Sequence, residues 1–315
     1  MLVPLVFALA SCSTPDTGAV EPVDSGDTSD SAIDSSPVWA QHRIESSSTL
    51  NGIYASGSGV YTVGTGGFAW VGGTDGWTFM DIDVNGANLT DLWGQGQNSA
   101  TILAASTTVG WVAQYSGTSG WTTGDLSDTN EIKGVGGSGP DALFAVGWGR
   151  AYSYNGTTWT YEALPDAAVK LNDVYAVGEN AFAIGEDGAC LQRASGGVWK
   201  ECVSGVTVAL NGISGSGKND VWAVGAAGTV VHYDGTEWKV QEVPTAETLW
   251  AVFVPEEGSV VAVGSNGAAI RLMGGEWEVL PTGVDNILYA VHGVSANNIW
   301  ASGNQGMTLQ FKEVE

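Results

Sequence analysis

The stretch LNGISGSGKNDVWAVGAAGTVVHYDGTEWKVQEV, Leu210 to Val243, decides the fold. It contains four short apolar or alternating pieces: LNGIS, DVWAVG, TVVHY and EWKVQEV. Each is bounded by Gly, Asn or Asp, and none reaches helix length, so each reads as a strand closed by a tight turn. The pair Asp234-Gly235 between the third and fourth pieces is a strong hairpin signal. One such unit cannot cover both of its faces, so it requires neighbours of the same kind.

The neighbours are present. A Trp is followed eleven or twelve residues later by Leu or Ile in the pairs Trp39/Leu50, Trp77/Leu89, Trp121/Ile132, Trp159/Leu171, Trp199/Leu210, Trp238/Leu249 and Trp277/Leu288. Successive Leu or Ile positions differ by 39, 43, 39, 39, 39 and 39 residues. Four strands every 39 residues, with no amphipathic helical pattern, predict the blades of a β-propeller rather than a helical solenoid. The recurrent Trp is expected to fill the wedge between adjacent blades. The second strand of most units ends in Gly (Gly64, Gly147, Gly185, Gly225, Gly264, Gly303), where a two-residue turn would demand a positive φ. The second unit departs from this pattern, with TILAAS in place of the Gly-ended strand.

The motifs AVGxxG and Y[DN]GTxW resemble the short Trp-rich propeller repeats of bacterial surface lipoproteins, related to BNR-type and photosystem II assembly-factor-like propellers. The resemblance covers residues 37–315. The adjacent Asp234-Gly235 pair departs from the sialidase Asp-box and argues against that activity. The expected fold is all-β: a seven-bladed β-propeller of four-stranded antiparallel blades, closed by the N-terminal strand pairing into the last blade. The closure is read from the chain ends. The last unit stops after three strands, while VWAQHRIESSSTL near the start matches EWKVQEVPTAETL with the same spacing from Trp to Leu. Residues 38–45 are therefore expected to pair antiparallel with residues 308–313, which removes two open sheet edges.

The first residues, MLVPLVFALASC, form an apolar run too short to span a bilayer and ending in Leu9-Ala10-Ser11-Cys12. This resembles a bacterial lipobox, although no Lys or Arg precedes the run. The resemblance implies a signal peptide over 1–11, cleavage before Cys12, acylation of the Cys12 thiol and, with Ser13 next, sorting to the outer membrane or cell surface. Residues 12–37 follow as an acidic Ser/Asp/Thr tether with six acids and no base, a composition that predicts disorder. Its DSGDTSD segment lacks the closing Glu of a calcium loop. The propeller is assigned to 38–315.

The formal charge is −24, with 34 acids against ten Lys and Arg. Ten dispersed bases cannot follow a phosphate track, so nucleic acid is excluded as a partner, and binding to an anionic lipid surface is disfavoured. With the six tether acids set aside, 28 acids still face ten bases, which favours neutral or basic partners. Cys190 and Cys202 lie on the predicted third and fourth strands of one blade, about equally spaced from Gly196, and predict a cross-strand disulfide in an oxidising compartment.

Signatures of catalysis are sparse. His42, His232 and His292 lack metal-ligand spacing, and no metal or cofactor is expected. No GxSxG elbow and no Gly-rich loop before a helix is present. Ligands of propellers meet the face formed by the turns between second and third strands. Those turns carry Trp148, Arg150, Glu186, Asp187, Asn266, Asn304 and Gln305, the candidate binding face. Trp148 stands where other units carry Ala, Ser, Asn or Glu, and beside Arg150 it could stack on a sugar or anchor a protein. The sequence thus reads as a monomeric, lipid-anchored, extracytoplasmic propeller, a non-enzymatic module binding a protein or glycan at the cell envelope. The alternative is a hydrolase or lyase with a polar active site over the central channel.

Overall fold

A computed structural model describes residues 38–82, 86–96, 101–106, 111–116, 120–126, 131–194 and 196–313. The expected signal peptide, the Cys12 lipidation site and the tether to residue 37 lie outside the described residues.

The strands assemble into seven four-stranded antiparallel sheets. Blades one to six are consecutive meanders over residues 50–81, 89–125, 132–162, 171–201, 210–240 and 249–279. Blade seven joins Leu288–Ser295, Asn298–Gly303 and Thr308–Lys312 to Val38–Gln41. The first strand of each blade packs beside the first strand of the next, and Leu288–Ser295 packs beside Leu50–Ser56, so the ring is closed around a central channel.

The repeated residues make the seams between blades. The periodic Leu50, Leu89, Ile132, Leu171, Leu210, Leu249 and Leu288 are all fully buried. Second strands such as Ser259–Gly264 are buried along their whole length, because both faces of a middle strand meet a neighbouring blade. Each periodic Trp reaches the preceding blade. The Trp77 ring lies edge-on to Trp300, with centroids 6.1 Å apart, Trp238 meets Phe182 at 6.4 Å, and Trp277 meets Trp222 at 5.9 Å. Trp199 packs with Phe144 and Val146, and Trp39 packs with Val261 and Val263.

The turn glycines act differently from the expectation. Gly185, Gly225 and Gly264 have φ of −171°, −166° and −165°, which is extended backbone. Their lack of a side chain serves a close approach instead: a Cβ on Gly185 would fall on the carbonyl oxygen of Lys170, and one on Gly225 on that of Ala209. The positive φ comes two residues later, at Asp187 (55°), Ala227 (54°), Asn266 (53°) and Gln305 (58°), each followed by a Gly that is also positive. The turn is therefore three residues long, and Asp and Asn occur at its left-handed position because they tolerate that conformation.

The closing strand runs antiparallel to Thr308–Lys312, with Val38 opposite Lys312, Trp39 opposite Phe311 and Gln41 opposite Leu309. Two further amides continue the pairing, His42 N to Thr308 O and Ile44 N to Gly306 O, both 2.9 Å. The Trp39 and Phe311 rings lie 5.4 Å apart in the core of the seam to blade six. In blade four, Cys190 and Cys202 form a disulfide with Cα atoms 5.1 Å apart, and the Cys202 amide donates to the Cys190 carbonyl.

Candidate binding site at the channel mouth

The second residue of each first strand forms a ring around one end of the channel: Asn51, Thr90, Lys133, Asn172, Asn211, Trp250 and Tyr289. Four of the seven work as latches between blades. Asn51 Nδ2 donates to Leu89 O (2.7 Å), Thr90 Oγ1 to Ile132 O (3.1 Å), Asn172 Nδ2 to Leu210 O (2.9 Å) and Asn211 Nδ2 to Leu249 O (2.9 Å). Each latch satisfies a carbonyl at the start of the neighbouring blade. Lys133, Trp250 and Tyr289 occupy the same position and make no such bond among the described residues.

Those three side chains sit on opposite sides of the mouth. Trp250 and Tyr289, in blades six and seven, have ring centroids 5.5 Å apart, and the Trp250 indole N–H donates to Ser265 Oγ at 3.1 Å. Lys133, in blade three, pairs with Glu131 at 3.0 Å and stands 5.5 Å from the ring centre of Trp148. The mouth cavity holds about 350 Å³ and is completed by Trp148 and Glu186.

Blade three supplies Trp148 through a local shortening of the chain. In blades four to seven three residues separate the paired Gly185 and Ala189, Gly225 and Thr229, Gly264 and Ala268, and Gly303 and Met307, whereas in blade three only Trp148 and Gly149 separate the paired Gly147 and Arg150. Gly149 has a φ of 66°, and its amide donates to Val169 O at 2.7 Å. Trp148 also bridges to Lys170, which brings the Lys170 ammonium to 4.9 Å from the indole centre. The indole remains 45 % exposed, an unusual state for so large an apolar group beside a cavity.

The other turn residues separate from this site. Glu186 lines the mouth and accepts from Asn172 Nδ2 at 3.4 Å. Arg150 turns outward, with its guanidinium 5.9 Å from the Tyr161 ring and Nη1 donating to Gly149 O. Asp187 lies in a groove beside the disulfide, with Asp166, Lys170 and Glu201. Asn266 donates to Glu247, Asn304 Oδ1 accepts from Asn286 and from the Ile287 amide, and Gln305 accepts from Arg43. These last three build turns rather than the mouth. Lys133, Trp250 and Tyr289 lie on first strands, outside the turns that the motifs mark, yet a signal for them is present in the sequence: Leu-Asn in three units and Leu-Thr in a fourth give way to Ile-Lys, Leu-Trp and Leu-Tyr in the other three.

Deeper in the channel lie two half-buried carboxylates and an imidazole. Asp91 accepts from the Leu92 amide (2.7 Å) and from the Val135 amide of the next blade (2.9 Å). Asp173 repeats the arrangement with Val174 (2.7 Å) and Ile213 (2.9 Å). Between them is Gly134, where a Cβ would stand 2.5 Å from Asp173 Cα. Burial raises both carboxyls above the ordinary range, and the charge of Asp91 raises Asp173 further. His292 Nδ1 accepts from the Ala55 amide at 3.2 Å, and burial lowers its pKa to about 4, so at neutral pH the ring is uncharged with its proton on Nε2. Tyr54 and Phe253 pack around it, with centroids 4.9 and 4.7 Å away. No hydrogen bond joins His292 to either carboxylate, and no cluster of three potential metal ligands occurs, among the described residues.

No protein-family profile matches the sequence, and no curated protein matches it. Solved structures do match. Virginiamycin B lyase from Staphylococcus aureus superposes with a TM-score of 0.76 at 12 % identity, covering 88 % of this chain and 100 % of that one. YCF48 bound to D1 peptide gives 0.69 at 13 % identity, covering 87 % and 96 %. The WD40 propeller domain of Doa1 gives 0.74 at 11 %, covering 88 % and 96 %. A lyase, a peptide-bound protein and a WD40 domain have the architecture in common and little sequence, so the likeness establishes the fold alone: the chain is a β-propeller.

Proposed function

We propose that the protein is a lipid-anchored, extracytoplasmic binding module that takes a glycan or protein partner at the mouth of its central channel. The observation that carries this reading is the break in the latch ring. Folding favours Asn or Thr at that position, because each ties one blade to the next with a bond of about 1 kcal/mol. Lys133, Trp250 and Tyr289 forgo the bond and line open space, joined there by the half-exposed Trp148. Local departures from a stabilising rule are where binding is expected to reside.

The catalytic alternative has weaker support, although one protein of similar fold is by name a lyase. An acid–base pair should be within reach of a shared substrate atom. Here Asp91, Asp173 and His292 each accept an amide of the adjoining blade, and in that role they hold the ring together.

The envelope location is supported by the lipobox-like residues ending at Cys12 and by the Cys190–Cys202 disulfide, a bond that persists in oxidising compartments. Val38, where the propeller begins, pairs with Lys312, which also pairs with Asn298 at the end of blade seven remote from the Gln305 turn. The chain therefore enters the ring on the face opposite the mouth. The test is a crosslinking pulldown from intact cells carrying wild-type protein or Trp148→Ala. A partner captured by the wild type and lost with the variant supports the reading, and equal capture by both removes the mouth from it.

A further inference from the structure

Building on the mouth as a binding site, we infer that its ligand is a neutral saccharide ring. The first reason is the balance of polar groups. The Lys133 and Lys170 ammonium groups flank the Trp148 indole, Glu131 pairs with Lys133, and Glu186 lines the same mouth, so donors and acceptors are balanced there. A ligand anion needs a surplus of donors and a cation a surplus of carboxylates. A sugar hydroxyl donates and accepts at once, and it is best met where both kinds of partner lie side by side.

The second reason is the placement of aromatic faces. Trp148 presents a half-exposed indole on one side of the cavity, and Trp250 with Tyr289 forms a wall on the other. The C–H face of a pyranose is apolar while its rim is hydroxylated, which matches aromatic surfaces interleaved with polar side chains. The volume of about 350 Å³ suits one ring with part of a second.

A protein surface fits less well. Protein interfaces of standard size need about 800 Å² per partner centred on a cluster of apolar anchors. At this mouth Trp148 is the single strongly exposed large apolar side chain among the described residues. Phe68, Phe79, Val198, Val240 and Val279 are exposed elsewhere and do not line the cavity.

The test uses the purified full chain on an array of neutral, acidic and cationic oligosaccharides, followed by calorimetric titration of the best binder. A neutral oligosaccharide is expected to bind. Trp148→Ala should weaken it by about tenfold or more, and Glu186→Gln should weaken it severalfold, with melting temperatures of both variants close to wild type. Binding confined to acidic or cationic sugars overturns the neutral class. No sugar binding, together with a Trp148-dependent protein crosslink in cells, overturns the saccharide and leaves the binding reading standing. Sugar binding indifferent to both substitutions overturns the placement at the mouth, and with it the reading on which the inference rests.

Discussion

The removal of one carboxylate, Glu162→Ala, should destabilise the ring at the seam between blades three and four. Glu162 ends the fourth strand of blade three, and Arg193 belongs to the third strand of blade four. Their side chains are 9 % and 11 % exposed and meet as a fork, Nε to Oε2 and Nη2 to Oε1, both 2.7 Å. The same carboxylate accepts from Trp199 Nε1 (2.8 Å) and Ser153 Oγ (2.8 Å). Burial alone would raise the Glu162 pKa, but the bonds from Arg193, Ser153 and Trp199 together with the Arg193 charge outweigh it and hold it below the ordinary value. Stripping the carboxylate leaves the guanidinium with only its bond to Glu179 O and no charge partner among the described residues, which costs about 2–3 kcal/mol, at or below the range for a fully buried orphaned charge, and the melting midpoint should fall by several degrees. Because Arg193 supplies much of that cost, Glu162→Ala with Arg193→Met should recover part of the loss. The stabilisation from Glu162 is present above the unfolded pKa of about 4.3 and is lost as pH falls through the lower folded value. The assay is denaturant unfolding of the four members of the cycle at pH 7 and at pH 3.5. A loss below about 1 kcal/mol at pH 7, or a double variant worse than the sum of the singles, would show that the fork does not hold the seam.

Asp91, desolvated in the channel wall, should act in the opposite direction. Its carboxyl is pushed up to about 6, so the folded state binds its proton more tightly, and its contribution to stability falls as pH rises from about 4 to about 6. Asp91→Asn should flatten that fall in melting curves, and an unchanged slope would contradict the assignment. Deletion of residues 37–46 should abolish cooperative melting or lower its midpoint sharply, whereas deletion of 13–36 should change little; equal effects in calorimetry would place ring closure elsewhere. Reduction of Cys190–Cys202, which are 12 residues apart, should cost about 2–3 kcal/mol in denaturant titration. Cys12→Ala should move the protein from the detergent phase to the soluble fraction, at roughly 0.8 kcal/mol for each buried CH₂ of the lost chains, and unchanged partition would remove the anchor.

The sequence carried the all-β propeller class because its signals are periodic: a buried Leu or Ile at the head of each blade and a Trp for each seam. It also displayed the pairing of the chain ends, since a unit lacking its fourth strand and a surplus strand bearing the same Trp-to-Leu spacing are complementary. The disulfide was legible for a similar reason, as hairpin neighbours in sequence are neighbours in space. Turn chemistry was less so. Gly185 and Gly225 looked like left-handed residues, but close contact with a neighbouring carbonyl and a left-handed φ both select Gly, and only coordinates separate them. Trp148 and Glu186 could be named from their turns. Arg150 could not be placed, because one residue removed from the turn of blade three changes which side chain faces the channel. Asp91 and Asp173 were hidden among 34 acids, and what singles them out, the amides of Val135 and Ile213 on the next blades, lies about 40 residues away in the chain.

That the mouth beside Trp148 is where this propeller binds can be checked with a photo-crosslinking phenylalanine derivative, which keeps an aromatic ring in place of the indole, at position 148 in intact cells. Position 161, an equally exposed aromatic site on the outer strand of blade three, serves as the reference. One discrete adduct is expected at 148, absent at 161, and lost when Lys133 and Tyr289 are replaced by Ala in the same protein. The same adducts at both positions, or an adduct at 161 alone, would contradict it.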